Sequence, residues 1–329
     1  MPRSFVSRID PMIVILLLAT LLAMLLPAMG ETRSIAQDVA NIAIFILFLA
    51  NGMRIARTEI LRGFANWRFF LPLAIWVFGV MALAGWGVAQ FAGAILDPKV
   101  ALGFLFLGCL PSTIQSATSY TMLANGNAAL SVVGAALINI LGVFITAPLF
   151  AAIAGSEAVQ IGNEVIIRIG LILILPFVIG QAVQGWTIEW MTERKSQTAW
   201  LDRIVIGILV YVAFSGAIEQ GIGSMLDPTG WAIFAAMTIA LLLAANGGAW
   251  FASGVLGYPR EDRIAFLFAA AQKSVAIGAP LAAIMFTPEV TGFVIAPLLL
   301  YHLLQLMLAA PLAGRFARSQ ASSVSGVSP

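Results

Sequence analysis

The chain contains ten runs of predominantly apolar residues, each long enough to cross a membrane as a helix. Crossing the hydrocarbon core takes about 20 such residues. Hydrophobic residues make up 61% and charged residues 10% of the 329 residues, which leaves too little polar surface for a water-soluble body. We therefore predict an all-α membrane protein with ten transmembrane helices. The runs lie approximately at 10–28, 38–54, 69–92, 99–122, 127–153, 164–185, 200–220, 229–256, 261–286 and 288–313.

The basic residues indicate how these spans are oriented. If alternate loops lie on opposite sides, the side with both termini holds thirteen of the 17 Lys and Arg residues. The other side holds Arg33, Lys99 and Arg168, and Lys273 falls inside a span. By the positive-inside rule, both termini are expected in the cytoplasm. The thirteen are Arg3, Arg8, Arg54, Arg57, Arg62, Arg68, Arg194, Lys195, Arg203, Arg260, Arg263, Arg315 and Arg318.

Several function classes are excluded by what the sequence lacks. A net charge of +2 gives no basic field for nucleic acid. The single cysteine, Cys109, and the single histidine, His302, allow no disulfide framework and no cysteine- or histidine-rich metal site. The sequence has neither an ATP-binding phosphate loop nor a convincing arrangement of catalytic groups. We expect no enzyme activity, no cofactor and no metal.

The fourth and ninth spans share a pattern that indicates an internal repeat. Phe104-Leu105-Phe106 recurs as Phe266-Leu267-Phe268, and at the same offset Ser112 meets Ser274. So short a match can arise by chance, but both segments also become polar at the same point. Two halves of five spans would insert with opposite orientation, as in many secondary transporters. The predicted segments are a first inverted repeat at 1–155, a second at 156–315 and a disordered cytoplasmic tail at 316–329.

The two matching segments are unusually polar for the middle of a membrane helix. The fourth span reads PSTIQSATS over 111–119, and the ninth reads QKS over 272–274. Interrupted helices expose backbone groups that lipid cannot satisfy, so they are tolerated only where protein or a cavity surrounds them. We therefore predict that helices 4 and 9 are broken, cross each other and line a binding site.

Lys273 allows two interpretations. A lysine at the centre of a membrane helix costs roughly 2.5–3.5 kcal/mol. In the first interpretation it faces a central cavity, where it pairs with an anionic substrate, replaces a coupling cation or exchanges a proton. In the second it is a structural donor to carbonyl groups left free by the break in helix 4.

The fourth span also offers a cluster of hydroxyl and amide oxygens. These groups suit small cations or hydroxylated and anionic substrates, although Ser and Thr in membrane helices also bond their own backbone. For Ser131 and Asn139, bonding between helices is the competing interpretation, and His302 is either a proton relay or a packed, neutral residue. The candidate binding residues are Ser112, Thr113, Gln115, Ser116, Thr118, Ser131, Gln272, Lys273 and Ser274.

Longer stretches resemble the bile acid:sodium symporter superfamily, and more narrowly its SBF-like transporter branch. The similar stretches are 110–116 (LPSTIQS), 124–129 (ANGNAA), 139–149 (NILGVFITAPL) and 272–280 (QKSVAIGAP). The last resembles the lysine-serine motif of that branch, and the resemblance covers nearly the whole chain. It implies ten helices in two inverted fives, a core domain on crossing helices 4 and 9 that moves against a panel domain, and organic-anion transport.

The chain departs from the sodium-coupled members of that superfamily at their ion ligands. Those members carry a glutamate four residues before the glutamine of span 9 and an asparagine just after it, where this chain has Phe268 and Lys273. Where those members have a Ser-Asn pair that supplies sodium ligands, this chain has residues 117–118 (AT). Where they have a threonine ligand it has Ala135, and their serine is retained as Ser131. Losing a carboxylate and gaining a cation should abolish the electrostatics of the sodium pair.

We therefore expect a transporter of a small organic anion that works by alternating access. It is expected in the lipid bilayer of a bacterial inner (plasma) membrane. The site is expected between helices 4 and 9. The usual two-sodium site is not expected to operate. The candidate coupling ions are a proton and Na⁺, and transport without a coupling ion is the third alternative. The alternative from another class is a membrane protein that regulates ion homeostasis without carrying a substrate.

Overall fold

The regular structure in the described part of the chain is helical, as lipid requires of segments that must satisfy their own backbone groups. The computed structural model describes residues 11–58, 65–155, 163–221 and 227–325. The main helices there are α1 (Pro11–Leu25), α2 (Glu31–Arg54), α3 (Trp67–Ile75, continuing through Trp76–Val80 and Met81–Gly93), α4 (Pro98–Cys109), α5 (Ile114–Leu123), α6 (Ala128–Ala154), α7 (Asn163–Ile169, continuing through Gly170–Ile174 and Leu175–Glu193), α8 (Lys195–Glu219), α9 (Pro228–Val255), α10 (Arg260–Ala271), α11 (Val275–Met285) and α12 (Pro288–Ser325).

Most of these helices are long and apolar enough to cross a membrane. Judged by length and composition, the described residues supply eight such spans, or nine if the bent pair α4–α5 is one span, and α1 is a shorter apolar helix. The pair α10–α11 counts as one of the eight, and 94% of that span is buried, against 33–56% for the other seven. The chain is therefore a multi-span, all-helical membrane protein with α10–α11 at its centre.

Local sequence signals explain where several helices begin. Asp97 and Asp227 each precede a proline, and their side chains accept hydrogen bonds from the backbone N–H of Lys99 (2.8 Å) and Gly230 (2.6 Å). A carboxylate in this position caps the free N–H groups of the first turn, and the proline that follows needs no N–H partner. These two caps fix the starts of α4 and α9.

Both predicted breaks occur. Between α4 and α5 the axis bends by 61°, and Leu110 is extended (ψ 148°) because the ring of Pro111 excludes helical geometry at the preceding residue. Between α10 and α11, Gln272 (ψ 149°) and Ser274 (ψ 112°) are extended although no proline lies between them. The second break is therefore imposed by tertiary contacts.

The C-terminal end differs from the prediction. The tail was expected to be disordered from residue 316, but α12 continues to Ser325. The ring of Phe316 lies 4.8 Å from that of Trp250, and Arg260 donates to the Phe316 carbonyl at 2.6 Å. These contacts extend the helix. Residues 326–329, and the basic residues Arg3, Arg8 and Arg62 used to orient the chain, lie outside the described residues.

Glycines allow α2 and α7 to approach at backbone distance. A Cβ added to Gly52 would lie 2.3 Å from the carbonyl oxygen of Phe177, and one added to Gly180 would lie 2.3 Å from that of Leu49. Elsewhere on α7, a Cβ added to Gly185 would meet no atom within 4 Å. The contact therefore depends on Gly52 and Gly180 alone among these three glycines.

We predict that Gly180→Ala lowers the free energy of unfolding by about 1–3 kcal/mol, because the added methyl forces the two backbones apart. Gly185→Ala in the same helix should leave stability unchanged or raise it slightly, since alanine favours helix. Thermal unfolding of the purified proteins in detergent measures both. Equal effects of the two substitutions would show that α2 and α7 do not meet as described.

Candidate functional site

The backbone groups freed at the second break are bound by side chains of α12. Gln305 accepts from the N–H of Lys273 at 2.8 Å and donates to the Lys273 carbonyl at 3.1 Å. The Tyr301 hydroxyl donates to the carbonyl of Ala271 at 2.6 Å. All three residues are buried. Partners from α12 thus replace the helical hydrogen bonds that the extended residues have lost.

The five consecutive carbonyls at the end of α4 and in the first break each accept a hydrogen bond from another part of the molecule. Some donors come from α6 and the others from the second break. The hydrogen bonds from the second break join the two breaks. The pairs are Gly108 with Lys273 Nζ (3.0 Å), Cys109 with Thr146 Oγ1 (3.1 Å), Leu110 with Lys273 Nζ (2.7 Å), Pro111 with the Ser274 N–H (3.0 Å) and Ser112 with Asn139 Nδ2 (2.6 Å).

Lys273 therefore makes the contact foreseen in the second of its two interpretations. Its side chain is fully buried, its ammonium binds two carbonyls of the first break, and it does not line the cavity described below. The carbonyl end of a helix carries partial negative charge, which stabilises a cation placed there. In this structure the ammonium ties the two breaks together.

A cavity of about 620 Å³ lies beside this crossing. Its floor consists of residues that follow the two breaks, at the first turns of α5 and α11. Apolar side chains from several helices cover the walls, including Phe48, Val143, Phe177 and Ile206. The floor residues are Thr113, Ile114, Gln115, Ser116, Ser274, Val275, Ala276 and Ile277.

The floor presents two helix N-termini to one cavity. Thr113 and Ser274 are the residues before the first turns of α5 and α11, and neither side chain caps its helix. The N-terminal end of a helix carries partial positive charge and unpaired N–H groups, a combination that binds anions. The Thr113 hydroxyl donates to Gln272 Oε1 at 2.8 Å, and the Ser116 hydroxyl contacts the same oxygen.

Fewer than half of the nine predicted binding residues line the cavity. Those that line it are Thr113, Gln115, Ser116 and Ser274. The other five, which do not line it, are Ser112, Thr118, Ser131, Gln272 and Lys273.

The five residues that do not line the cavity differ in whether their side chains form hydrogen bonds within the protein. Ser131 accepts from Thr121 Oγ1 at 3.1 Å. The Ser112 Oγ, Thr118 Oγ1 and Gln272 Nε2 atoms are buried without a partner among the described residues. His302 lines the cavity and pairs through Nδ1 with Gln305 at 2.8 Å.

Sequence reasoning missed the charged groups of the cavity. Asn51 and Arg54 at the end of α2, and Lys195, Asp202 and Arg203 at the start of α8, line it together. We call these five residues the charged end. The cations were interpreted only as markers of topology, and no spacing links α2 to α8. A charge inside a predicted span, as Asp202 is in 200–220, was the available signal.

The described residues contain no group of three or more His, Cys, Asp or Glu side chains placed to hold a metal ion. The polar groups that line the cavity are mainly hydroxyls, amides and cations, together with the Asp202 carboxylate and the His302 imidazole.

Comparison with known families gives a match over residues 10–318 to the SBF-like CPA transporter family. The chain belongs to that family. Relatives of this SBF-like protein cover most of its length. An uncharacterized Pseudomonas aeruginosa protein, PA2026, is 34% identical over 308 residues, 92% of this chain and 91% of the relative.

Two further relatives have transport-related names. YfeH of Escherichia coli, whose name proposes a symporter, is 32% identical over 321 residues, 94% of this chain and 93% of its own. Sodium/bile acid cotransporter 7 of Mus musculus is 23% identical over 278 residues, 83% of this chain and 82% of its own. The predicted resemblance is confirmed. This SBF-like protein is a multi-span protein of a transporter family, and its relatives point to transport rather than catalysis.

Removing the ammonium should destabilise the fold of this SBF-like protein. We predict that Lys273→Met lowers the free energy of unfolding by about 2–4 kcal/mol, because two buried carbonyls lose a charged donor. The matched control is Lys195→Met, at an exposed position, which should change stability little. Thermal unfolding in detergent compares them. A Lys273→Met protein as stable as the control would show that the ammonium does not hold the two breaks together.

Proposed function

We propose that this protein is a secondary active transporter of a small organic anion that works by alternating access. The cavity beside the crossing carries this proposal, because two helix N-termini form its floor and cations lie at its charged end. The apolar walls between them suit the carbon skeleton of an organic solute.

The charges of the cavity favour an anion over a cation. The charged end has three cations, Arg54, Lys195 and Arg203, against one carboxylate, Asp202. The floor adds the positive ends of two helix dipoles and hydroxyl donors. A carboxylate leaving water would find compensating groups at both places, whereas a cation would be repelled by both.

We infer two inverted five-helix repeats from the positions of the breaks. Counting α4–α5 and α10–α11 as one span each, and α1 as a span, gives ten spans with the broken ones fourth and ninth. The repeated Phe-Leu-Phe triplets lie buried in α4 and α10, before the two breaks. On this proposal the repeats are 1–155 and 156–315, and the crossing belongs to a core that moves against the remaining helices.

Orientation follows from the basic residues. If both termini are cytoplasmic, as the positive-inside rule indicates, the charged end lies toward the cytoplasm. Arg33, at the opposite end of α2, forms ion pairs with Glu219 and with Glu289 (3.0 Å). These pairs would then join α2, α8 and α12 on the outer side. On this proposal the cavity would open toward the bacterial cytoplasm.

We assign the floor hydroxyls to substrate binding and Lys273 to an internal role. The assigned ligands are Thr113, Gln115, Ser116 and Ser274, supported by Gln272. Lys273 would act as an internal cation at the crossing. The protein would then need no sodium ion there, and a proton gradient is the remaining candidate for coupling.

Thr113→Val should weaken transport without unfolding the protein. The change replaces a hydroxyl that lines the cavity by a methyl group, and the loss of one hydrogen bond to the anion, worth about 1.5 kcal/mol, should raise KM about tenfold. Uptake of a panel of labelled carboxylates into liposomes measures it. Thr238→Val is the matched control, since the Thr238 hydroxyl is buried but bonds only its own helix, to Phe234 O at 2.8 Å.

The same liposomes test the alternative class. Accumulation of an organic anion that is impaired by Thr113→Val and not by Thr238→Val supports transport through the cavity. Binding of the anion without flux, under every ion gradient tried, would refute transport and favour a regulator of ion homeostasis.

Uptake should not depend on sodium. Replacing external Na⁺ by choline is expected to leave the initial rate unchanged, because the Lys273 ammonium already occupies the carbonyls of the first break. A proton ionophore tests proton coupling in the same assay, by abolishing accumulation if the proton drives it. Loss of uptake in choline would overturn the assignment of Lys273 as an internal replacement for the coupling cation.

A further inference from the structure

The charged end contains an ion pair that spans two helices. Arg54 Nη1 lies 2.7 Å from Asp202 Oδ2, and Arg54 Nη2 also donates to Asn51 Oδ1. The Arg54 and Asp202 side chains are 31% and 20% exposed, and both face the cavity. The pair is therefore within reach of a solute in that cavity.

The carboxylate of this pair is incompletely satisfied. Asp202 Oδ2 bonds Arg54, but Asp202 Oδ1 is buried and has no hydrogen-bond partner among the described residues. A carboxylate oxygen that loses water without gaining a donor raises the free energy of the ionised form. The ion pair is thus weaker than a fully bonded one, which favours its exchange for another anion.

The other charges near Asp202 do not replace Arg54. Lys195 and Arg203 lie on the same helix as Asp202, and the Arg203 guanidinium stacks 5.2 Å from the Trp200 ring centre. Across the cavity, α12 contributes His302, whereas the described α1 and α11 carry no charged residue. Arg54 is the cation that holds Asp202, and His302 is the imidazole that lines the same cavity.

We propose that Arg54 is an anion-binding residue of the cavity and that Asp202 is its built-in competitor. The ligand class is an organic monoanion with a carboxylate or sulfonate head, which a guanidinium binds through two parallel N–H donors. The proposal rests on the proposed function: Arg54 would bind, at the charged end, the anion that the protein is proposed to transport.

Protonation of Asp202 controls access to this anchor. The proton comes from solvent in the cavity and binds the carboxylate, which then no longer competes for Arg54. The guanidinium takes the anionic head of the solute instead. When the solute leaves, Asp202 releases the proton to solvent and pairs with Arg54 again. Anion affinity therefore rises as the pH falls.

Binding of 2-naphthalenesulfonate to the full-length protein in detergent tests this, because the sulfonate keeps its charge across the range used. Asp202→Asn should bind the probe about tenfold more tightly than wild type at about pH 7.5, since a charged hydrogen-bond competitor is removed. The double variant Arg54→Gln/Asp202→Asn should lose that gain. The affinity of wild type should rise toward that of Asp202→Asn as the pH falls and the Asp202 carboxylate gains a proton, while Asp202→Asn shows no such rise.

Glu189→Gln is the matched control, because it removes one carboxylate from an exposed position that is not in the cavity. Neutral 2-naphthol controls for binding to the apolar walls, and thermal unfolding confirms that each variant is folded. The proposal is overturned if Asp202→Asn binds no more tightly than Glu189→Gln, or if the gain survives without Arg54. It is also overturned if a rise at acidic pH persists in Asp202→Asn, which would assign the titration to His302, or if no variant prefers the sulfonate to 2-naphthol.

Failure here and failure of transport are distinguishable. Tighter binding by Asp202→Asn together with no anion flux in liposomes would leave the anion anchor standing and refute the transport proposal. Anion flux together with unchanged binding by Asp202→Asn would refute the anchor alone.

Discussion

A helix that breaks inside a bilayer must find a partner for every backbone group it frees, and one ammonium group meets much of that demand here. Lys273 donates to the carbonyls of Gly108 and Leu110, at the end of α4 and the start of the first break, while its own N–H and carbonyl bond Gln305. The ammonium loses its hydration, and the carbonyl end of α4 offsets that loss with partial negative charge. The crossing of the two broken helices, and with it the cavity floor, depends on this arrangement.

The same two breaks supply the chemistry of the floor. Ending α4 and α10 early lets α5 and α11 begin in the middle of the protein, so two helix N-termini reach one cavity. The Lys273 ammonium lies at the negative end of the α4 dipole, and the positive ends of α5 and α11 face the cavity. On the proposed function, attraction for an anion at the floor comes from these backbone dipoles and from hydroxyls, and not from Lys273. Lys273 acts indirectly, because it holds the two breaks together.

The sequence predicts the elements well because the bilayer restricts them to apolar helices of nearly fixed length. Pro111 identifies the first break directly. The orientation of Lys273 could not be predicted, because helical periodicity stops at the extended residues beside it and no rule then says which way a side chain points. The ion pair of Arg54 and Asp202 was also hidden. It joins residues 148 apart in the chain, and charges near span ends ordinarily report topology alone. The extension of α12 depends on packing against Trp250, which no local signal records.

The two parts of the cavity that we propose to attract an anion belong to different helices, and on the proposed function this matters for alternating access. The floor comes from α5 and α11. The two breaks that precede these helices are joined by a backbone hydrogen bond and by the hydrogen bonds of the Lys273 ammonium. The charged end comes from α2 and α8, which the Arg54 and Asp202 side chains join. A core that moves against the other helices would keep the floor intact and change its distance from the charged end. A solute that contacts both parts at once would therefore stabilise one arrangement over the other, which is the differential binding that any ligand-driven conformational change requires.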